Sequence, residues 1–339
     1  MKKAYIYPIS SRFHGQTHNP YLENFMDCLE DNFMFVNRNY PSKIGVFDIY
    51  RYIFNLQYIF FHWPEDMVER KFGFLQAAGF FLLILLCRIK GIKLIYVLHN
   101  KLSHTRKRLA LKKMIAMTLL KNGKVITHAK EGVLFTRQLS KKNADVLYFP
   151  HPVDPGIYEQ TEKDTDILIW GNIAPYKGIH KFLEIYNNKY DHKDWKLTIA
   201  GRISDKNYLS KLQPLINENI KIINTFLDEA QLSQLICRSK IVLFPYQPDS
   251  ILSSGAFAKT MAYPVEIIGP DSGAFLDFKY LDYINTYKNL EELPRLLDER
   301  LSNFNNAGWQ NKKIVSEYSW RNFGIHFYNN KKTQLLKSN

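Results

Sequence analysis

The residues best equipped for chemistry begin with a lysine. In the stretch from Asp166 to Gly178, DILIWGNIAPYKG, the apolar run Ile167 to Trp170 reads as a buried strand that stops at Gly171. Asn172 follows directly, then Lys177 and Gly178, and a helical pattern opens with Ile179, Phe182, Leu183 and Tyr186. A glycine loop lets a ligand approach the backbone, and a lysine beside a helix start supplies a point charge for a phosphate. A second such place is Ser253-Ser254-Gly255, which opens an expected helix after a proline-rich loop. Serine caps a helix well, and glycine leaves the free amides open to an anion. His62 and His99 stand at expected strand ends, where an imidazole that changes charge near neutral pH suits contact with a phosphate or an acceptor hydroxyl. Asp164-Thr165-Asp166 has the DxD spacing of metal–nucleotide sites, but it precedes a strand instead of ending one and reads as a surface pair. Cys28, Cys87 and Cys237 are far apart and form no Cys/His ligand spacing, so neither a disulfide framework nor a metal site is expected.

These residues need a scaffold, and the pattern supplies two. At 339 residues the chain suits two domains, and 46% hydrophobic content fills two cores. Residues 4–9, 58–62, 93–98, 124–128 and 145–149 read as strands, alternating with helices near 20–31, 72–90, 104–121 and 131–140. The second half repeats the scheme, with strands at 166–170, 196–200, 220–223, 240–244 and 265–268. Its helices lie near 179–187, 206–218, 228–237, 253–262 and 290–304. Such alternation implies parallel sheets covered on both faces, with ligands outside the carboxyl ends of the strands. The run Pro150 to Gly156 is the natural link. The apolar segment Phe74 to Cys87 falls short of the roughly 20 residues a bilayer span needs and reads as a core helix. The protein is therefore expected to be soluble or peripheral.

The net charge of +14 is concentrated. Fourteen of the 46 Lys and Arg residues lie between Arg70 and Lys130, a window without Asp or Glu; elsewhere basic and acidic residues balance at 32 each. Within it the spacing of Leu111, Met114, Ile115, Thr118 and Leu119 predicts one apolar helix face, with Arg108 and Lys112 off it. A basic amphipathic helix admits three anionic partners: a membrane surface, a phosphorylated acceptor or nucleic acid. No RRM-like, KH-like, zinc-finger or helix-turn-helix signature supports nucleic acid.

Taken together, Gly171, Lys177 and Gly178 resemble the Gly-Arg-x4-Lys-Gly pattern at the donor site of GT-B glycosyltransferases, in particular the large retaining class called family 4. Lys177 and the Ser-Ser-Gly helix follow the first and fourth strands of the second half, as in that family. The resemblance extends over some 300 residues. His18-Asn19-Pro20-Tyr21 resembles its first loop and acceptor-side helix, Phe61-His62-Trp63-Pro64-Glu65 its HWPE strand end, and Leu98-His99-Asn100 the strand end with its active-site histidine. Phe149 to Asp154 is similar to the segment before the linker, and Trp320 with the C-terminal stretch to the last helix. Two positions depart from the pattern. Asn172 replaces an arginine, for which Arg202 is a candidate substitute. Lys259 aligns with the second glutamate of a Glu-x7-Glu pair, and the first aligns near Ile251.

The resemblance implies an α/β GT-B fold, two Rossmann-like domains with parallel sheets facing across a cleft: residues 1–152 for the acceptor, 153–310 for the donor, and 311–339 crossing back to the first. It implies transfer of a sugar from a nucleotide-diphospho-sugar to a glycan, with retention and without a metal or other cofactor. His99 and Lys177 are the catalytic candidates. Gly171, Asn172, Lys177, Arg202, Ser253, Ser254 and Gly255 are the donor-side candidates; His18, Asn19, His62, Asn100, Arg108 and Lys112 are those for the acceptor. The basic window adds the expectation of a lipid-linked acceptor, and of a cytoplasmic protein peripheral on the inner face of an anionic membrane. The departures keep open a catalytically silent protein that binds nucleotide-sugar or glycan.

Overall fold

A computed structural model describes residues 1–9, 20–101, 107–140, 144–156, 161–190, 193–247, 251–304 and 312–335, with the side chains of 189, 190 and 330–335 left aside. Two compact units are present, one formed by Met1–Pro150 with Trp320–Asn339, the other by His151–Ser319.

The first unit is built on six parallel strands: β1 (Lys2–Tyr7), β2 (Phe33–Phe35), β3 (Tyr58–His62), β4 (Lys93–Leu98), β5 (Lys124–Thr127) and β6 (Val146–Tyr148), in the order β2-β1-β3-β4-β5-β6. The sequence pattern misses β2 because three residues are too few to show a period. One face of the sheet is aromatic. Phe25, Phe33 and Phe60 pack there with Phe323 and Phe327 of the C-terminal helix Trp320–Leu335. On the other face lies the helix Gly73–Lys90, whose Phe80 meets Phe61 edge-on.

The second unit has six more parallel strands: β7 (Thr165–Trp170), β8 (Leu197–Ala200), β9 (Ile220–Ile223), β10 (Ser239–Leu243), β11 (Glu266–Pro270) and β12 (Ile284–Tyr287). Their order, β12-β11-β10-β7-β8-β9, is doubly wound. The chain starts in the middle at β7, winds outward through β8 and β9, then returns to place β10 on the other side of β7. Strands β7 and β10 therefore flank the switch point. Apolar clusters cover both faces, one containing Ile167, Ile169, Phe182 and Leu183, the other Leu168, Trp170, Phe257 and Phe275.

Two expectations change. The basic helix runs Leu109–Asn122, and its buried side is Lys112, Ile115, Leu119 and Leu120, while Met114 is exposed. The apolar face is thus rotated from the predicted one, and Lys112 lies inside, ion-paired with Glu69. The segment Phe74 to Cys87, expected as a core helix, is part of the helix Gly73–Lys90, which buries one side and leaves Phe74, Leu82, Leu85 and Ile89 exposed on the other.

Candidate functional site

In the second unit, β7 ends at Gly171, whose φ of +102° lies in a region that side chains avoid. The chain then makes a single 3-10 turn, Pro175–Lys177, closed by Gly178 at φ +72°. A Cβ on Gly178 would stand 2.2 Å from the Pro245 carbonyl oxygen. Glycine at 178 thus lets the loop after β7 touch the loop after β10 at the switch point.

Lys177 is buried. Its ammonium donates to the Trp170 carbonyl at 3.2 Å and sits 5.7 Å from the centre of the Tyr246 ring. Among the described residues no carboxylate pairs with it. Burial pulls its pKa down to about 8. A desolvated cation without a counter-ion is poised to gain from any anion that arrives.

The loop after β10 is fixed around it. The Tyr287 hydroxyl donates to the carbonyls of Tyr246 at 2.6 Å and Phe244 at 3.0 Å. Ser254 caps the short helix Gly255–Thr260, accepting from the Phe257 amide at 3.3 Å, and its hydroxyl lies 3.2 Å from that of Tyr246. Thr260 accepts from the Trp170 indole at 3.0 Å and so ties this helix to the end of β7. Ser253 is half-buried and Gly255 exposed. The His151 imidazole comes close to that helix start, since a Cβ on Gly255 would lie 3.6 Å from its Nε2. Its Nδ1 donates to the Pro152 carbonyl at 2.9 Å, and burial lowers its pKa to about 4, so the neutral ring turns a lone pair toward the helix start.

The departures from the family pattern have structural counterparts. Asn172 and Arg202 are both exposed, and an isolated parallel bridge between Ile173 and Ile203 brings their loops side by side. Lys259 is ion-paired with Glu229, and Ile251 is buried in the apolar cluster, so neither supplies a carboxylate. In the DxD stretch Asp164 pairs with Arg238 and Asp166 with Lys240, both beside the start of β7 and away from the carboxyl edge. Among the described residues no group of three His, Cys, Asp or Glu could hold a metal.

In the first unit, three adjacent strands lead to histidines: His62 ends β3, His99 follows β4 and His128 follows β5. Tyr21, at the start of the helix Tyr21–Asp27, packs against all three, with ring centres 5.7, 5.0 and 5.8 Å away, and against Trp320 at 5.2 Å. A carbonyl can only accept, so His128 Nδ1 donates to Phe149 O at 2.8 Å. In the neutral ring its Nε2 then accepts from the Tyr21 hydroxyl at 2.6 Å. His62 Nδ1 and His99 Nε2 lie 3.1 Å apart, so one of the two donates to the other. Burial lowers the pKa of His62 to about 3, which keeps that ring neutral. His99 also stacks on Trp63, 4.1 Å between centres at 16°. Trp63 has φ +46°, an uncommon conformation for a bulky residue and a form of backbone strain found at working sites.

Of the acceptor-side candidates, His62 and His99 are brought together, and half-buried Asn100 follows directly. His18 and Asn19 lie outside the described residues. Arg108 is exposed, donates to the Val68 carbonyl and lies 4.4 Å over the Phe74 ring. Lys112, buried and paired with Glu69, is not an open cation. Sequence reasoning missed Tyr21 as the residue that joins the histidines, and Trp63 as a stacking ring; the HWPE stretch was the available signal for the latter. It also missed buried Glu65, whose carboxyl lies 3.5 Å from the Tyr96 hydroxyl and is pushed up to about 7 by burial.

Comparisons with known proteins bear on the fold. Residues 153–251 match the family model of glycosyl transferases group 1. The fold is that of the GT-B proteins. Anabaena HepE, solved with UDP-glucose, is similar with a TM-score of 0.71 at 10% identity, over 98% of this chain and 100% of that one. The sucrose-phosphate synthase of Thermosynechococcus elongatus gives 0.73 at 12% identity, over 100% of both chains. A glycosyltransferase from Rickettsia africae gives 0.64 at 13%, over 100% of this chain and 99% of that one. No curated protein sequence matches the chain. The match lies within the GT-B unit that holds Lys177.

Proposed function

We propose that this GT-B protein transfers a sugar from a nucleotide-diphospho-sugar to a glycan acceptor. The single observation that carries this reading is buried Lys177, without a carboxylate partner among the described residues, at the β7/β10 switch point of the group 1 unit. Its ammonium would meet the donor diphosphate and neutralise charge as that group leaves. Because the charge grows in the transition state, the contact acts on rate as well as binding. HepE has been solved with UDP and with UDP-glucose, so a UDP-sugar is the first donor to test. Arg202, beside Asn172, is the candidate second cation. Neutral His62, hydrogen-bonded to the His99 ring that stacks on Trp63, suits an uncharged sugar hydroxyl, and a glycan carried on a lipid diphosphate is the acceptor class proposed. Retention and independence of metal are part of the proposal.

A test is turnover with a panel of nucleotide-sugars and acceptor glycans, with and without Mg²⁺, comparing wild type with Lys177→Ala. The account expects one nucleotide to serve and the variant to lose most activity; equal turnover in both would sink it. A second reading, a silent protein that binds nucleotide-sugar, is favoured by Asn172, Ile251 and Lys259, which remove one cation and two carboxylates of the family pattern. It predicts nucleotide binding without turnover of any donor.

A further inference from the structure

We propose that the outward face of the helix Gly73–Lys90 docks on an anionic lipid bilayer, lying flat in its interface. Between Gly73 and Cys87 the only polar side chain is Gln76, and it points inward: it accepts from the Val46 amide at 2.9 Å and donates to the Ile44 carbonyl at 3.0 Å. The outward positions are apolar. Phe74, Leu82, Leu85 and Ile89 are 68%, 52%, 54% and 73% exposed, and at 100° per residue they share one stripe with Ala78 and Phe81. This inverts the ordinary surface helix, which turns its polar side to water.

The helix does not leave the fold to cross a membrane. Its other side, Ala77, Phe80, Leu83 and Cys87, is buried. By length and composition alone its 18 residues could cross a bilayer, but a crossing would strip this buried side from the fold. An interfacial position satisfies both faces at once.

Charge identifies the occupant. No Asp or Glu occurs from Arg70 to Lys130. Cations stand over aromatic rings at both ends of the stripe: Arg108 lies 4.4 Å over Phe74, Lys71 5.2 Å over Phe72, and Lys90 4.4 Å over exposed Phe54. Arg88 is exposed at the edge of the stripe. Apolar side chains ringed by basic ones match the acyl and headgroup layers of an anionic membrane. Of the basic face expected on the helix Leu109–Asn122, Arg108 joins this surface, while Lys112 is buried. The proposal suits a lipid-linked acceptor but does not rest on the transfer chemistry, because vesicle binding is read without donor.

The test is flotation of the full chain with phosphatidylcholine vesicles, with and without phosphatidylglycerol. Wild type should float with the anionic vesicles and much less with neutral ones. Combined Leu82→Gln, Leu85→Gln and Ile89→Gln should lower the partition coefficient at least about tenfold at an unchanged melting temperature, since these side chains are exposed. Arg88→Glu with Lys90→Glu should lower it about tenfold or more on anionic vesicles only. The proposal is overturned if wild type floats with neither vesicle, or if the triple variant floats as wild type does. It is equally overturned if sedimentation without lipid shows a dimer that the triple variant abolishes, since the occupant would then be a second copy of the chain. Loss of activity in Lys177→Ala with vesicle binding intact would leave this surface standing, so the two readings fail separately.

Discussion

At the carboxyl edge of the first sheet, polar groups pair with one another, Tyr21 with His128 and His62 with His99, while burial keeps His62 neutral and its Nε2 is without a hydrogen-bond partner among the described residues. At the carboxyl edge of the second sheet, Lys177 is also buried, and its ammonium meets the Trp170 carbonyl and the Tyr246 ring but no carboxylate among the described residues. Both edges place polar side chains where water is scarce. The difference is that one edge pairs rings and a hydroxyl with one another, and the other holds a cation with no carboxylate partner among the described residues. A ring-lined neutral surface suits a sugar; a desolvated ammonium suits a phosphate. On the proposed function, the first edge would receive an uncharged acceptor and the second an anionic donor.

The contrast can be broken at its strongest point first. Lys177→Ala should lower kcat/KM by about 100- to 1000-fold, roughly 2.7–4 kcal/mol of transition-state stabilisation. A loss below tenfold would mean the cation does not face the leaving group. Next, Gly178→Ala forces a Cβ against the Pro245 carbonyl in a left-handed conformation. It should cost about 2 kcal/mol or more in a denaturant titration, whereas an unchanged midpoint would show that the two loops do not touch. In the first unit, Tyr21→Phe leaves His128 Nε2 without its donor and should destabilise by about 1–3 kcal/mol. Wild-type stability would show that the histidine edge is not self-satisfied.

Acid–base behaviour sharpens the same contrast. With its pKa lowered to about 8, Lys177 loses charge as pH rises through that value, so nucleotide-diphosphate affinity should fall between pH 7 and 9. The sign for stability is opposite. Burying the charged form is a cost fully present below the folded pKa of about 8 and relieved as pH rises toward the ordinary lysine value. Lys177→Met should therefore melt a few degrees above wild type at pH 7 without ligand, and the gap should narrow at higher pH. The smallest expected effect is Lys259→Met, which removes a part-exposed pair with Glu229 and should cost no more than about 1 kcal/mol. A larger loss would assign Lys259 a role beyond that pair.

Much of this was legible in the residues. The apolar run Ile167–Trp170, the stop at Gly171 and the later lysine gave the strand and the loop that carries Lys177, because strand, glycine and charge are local signals. The adjacency of the loops after β7 and β10 followed from counting strands, since doubly wound sheets place the first and fourth together. Other features depend on contacts between distant segments. Lys112 looks outward on a helical wheel, yet Glu69, in the turn before the helix Gly73–Lys90, draws it inside. Leu82 and Ile89 look like core by composition, and only packing shows which half of an all-apolar helix meets the sheet. Tyr21 carries no motif that marks it as a partner of His128, 107 residues away.

The most direct measurement is titration of the full chain with UDP and UDP-glucose at pH 7 and pH 9, for wild type and Lys177→Met. The account predicts binding by wild type at pH 7, weaker binding at pH 9, and loss of nearly all affinity in the variant at both. Equal affinity in wild type and variant, with no change between the two pH values, would contradict the claim that this buried lysine receives the donor diphosphate.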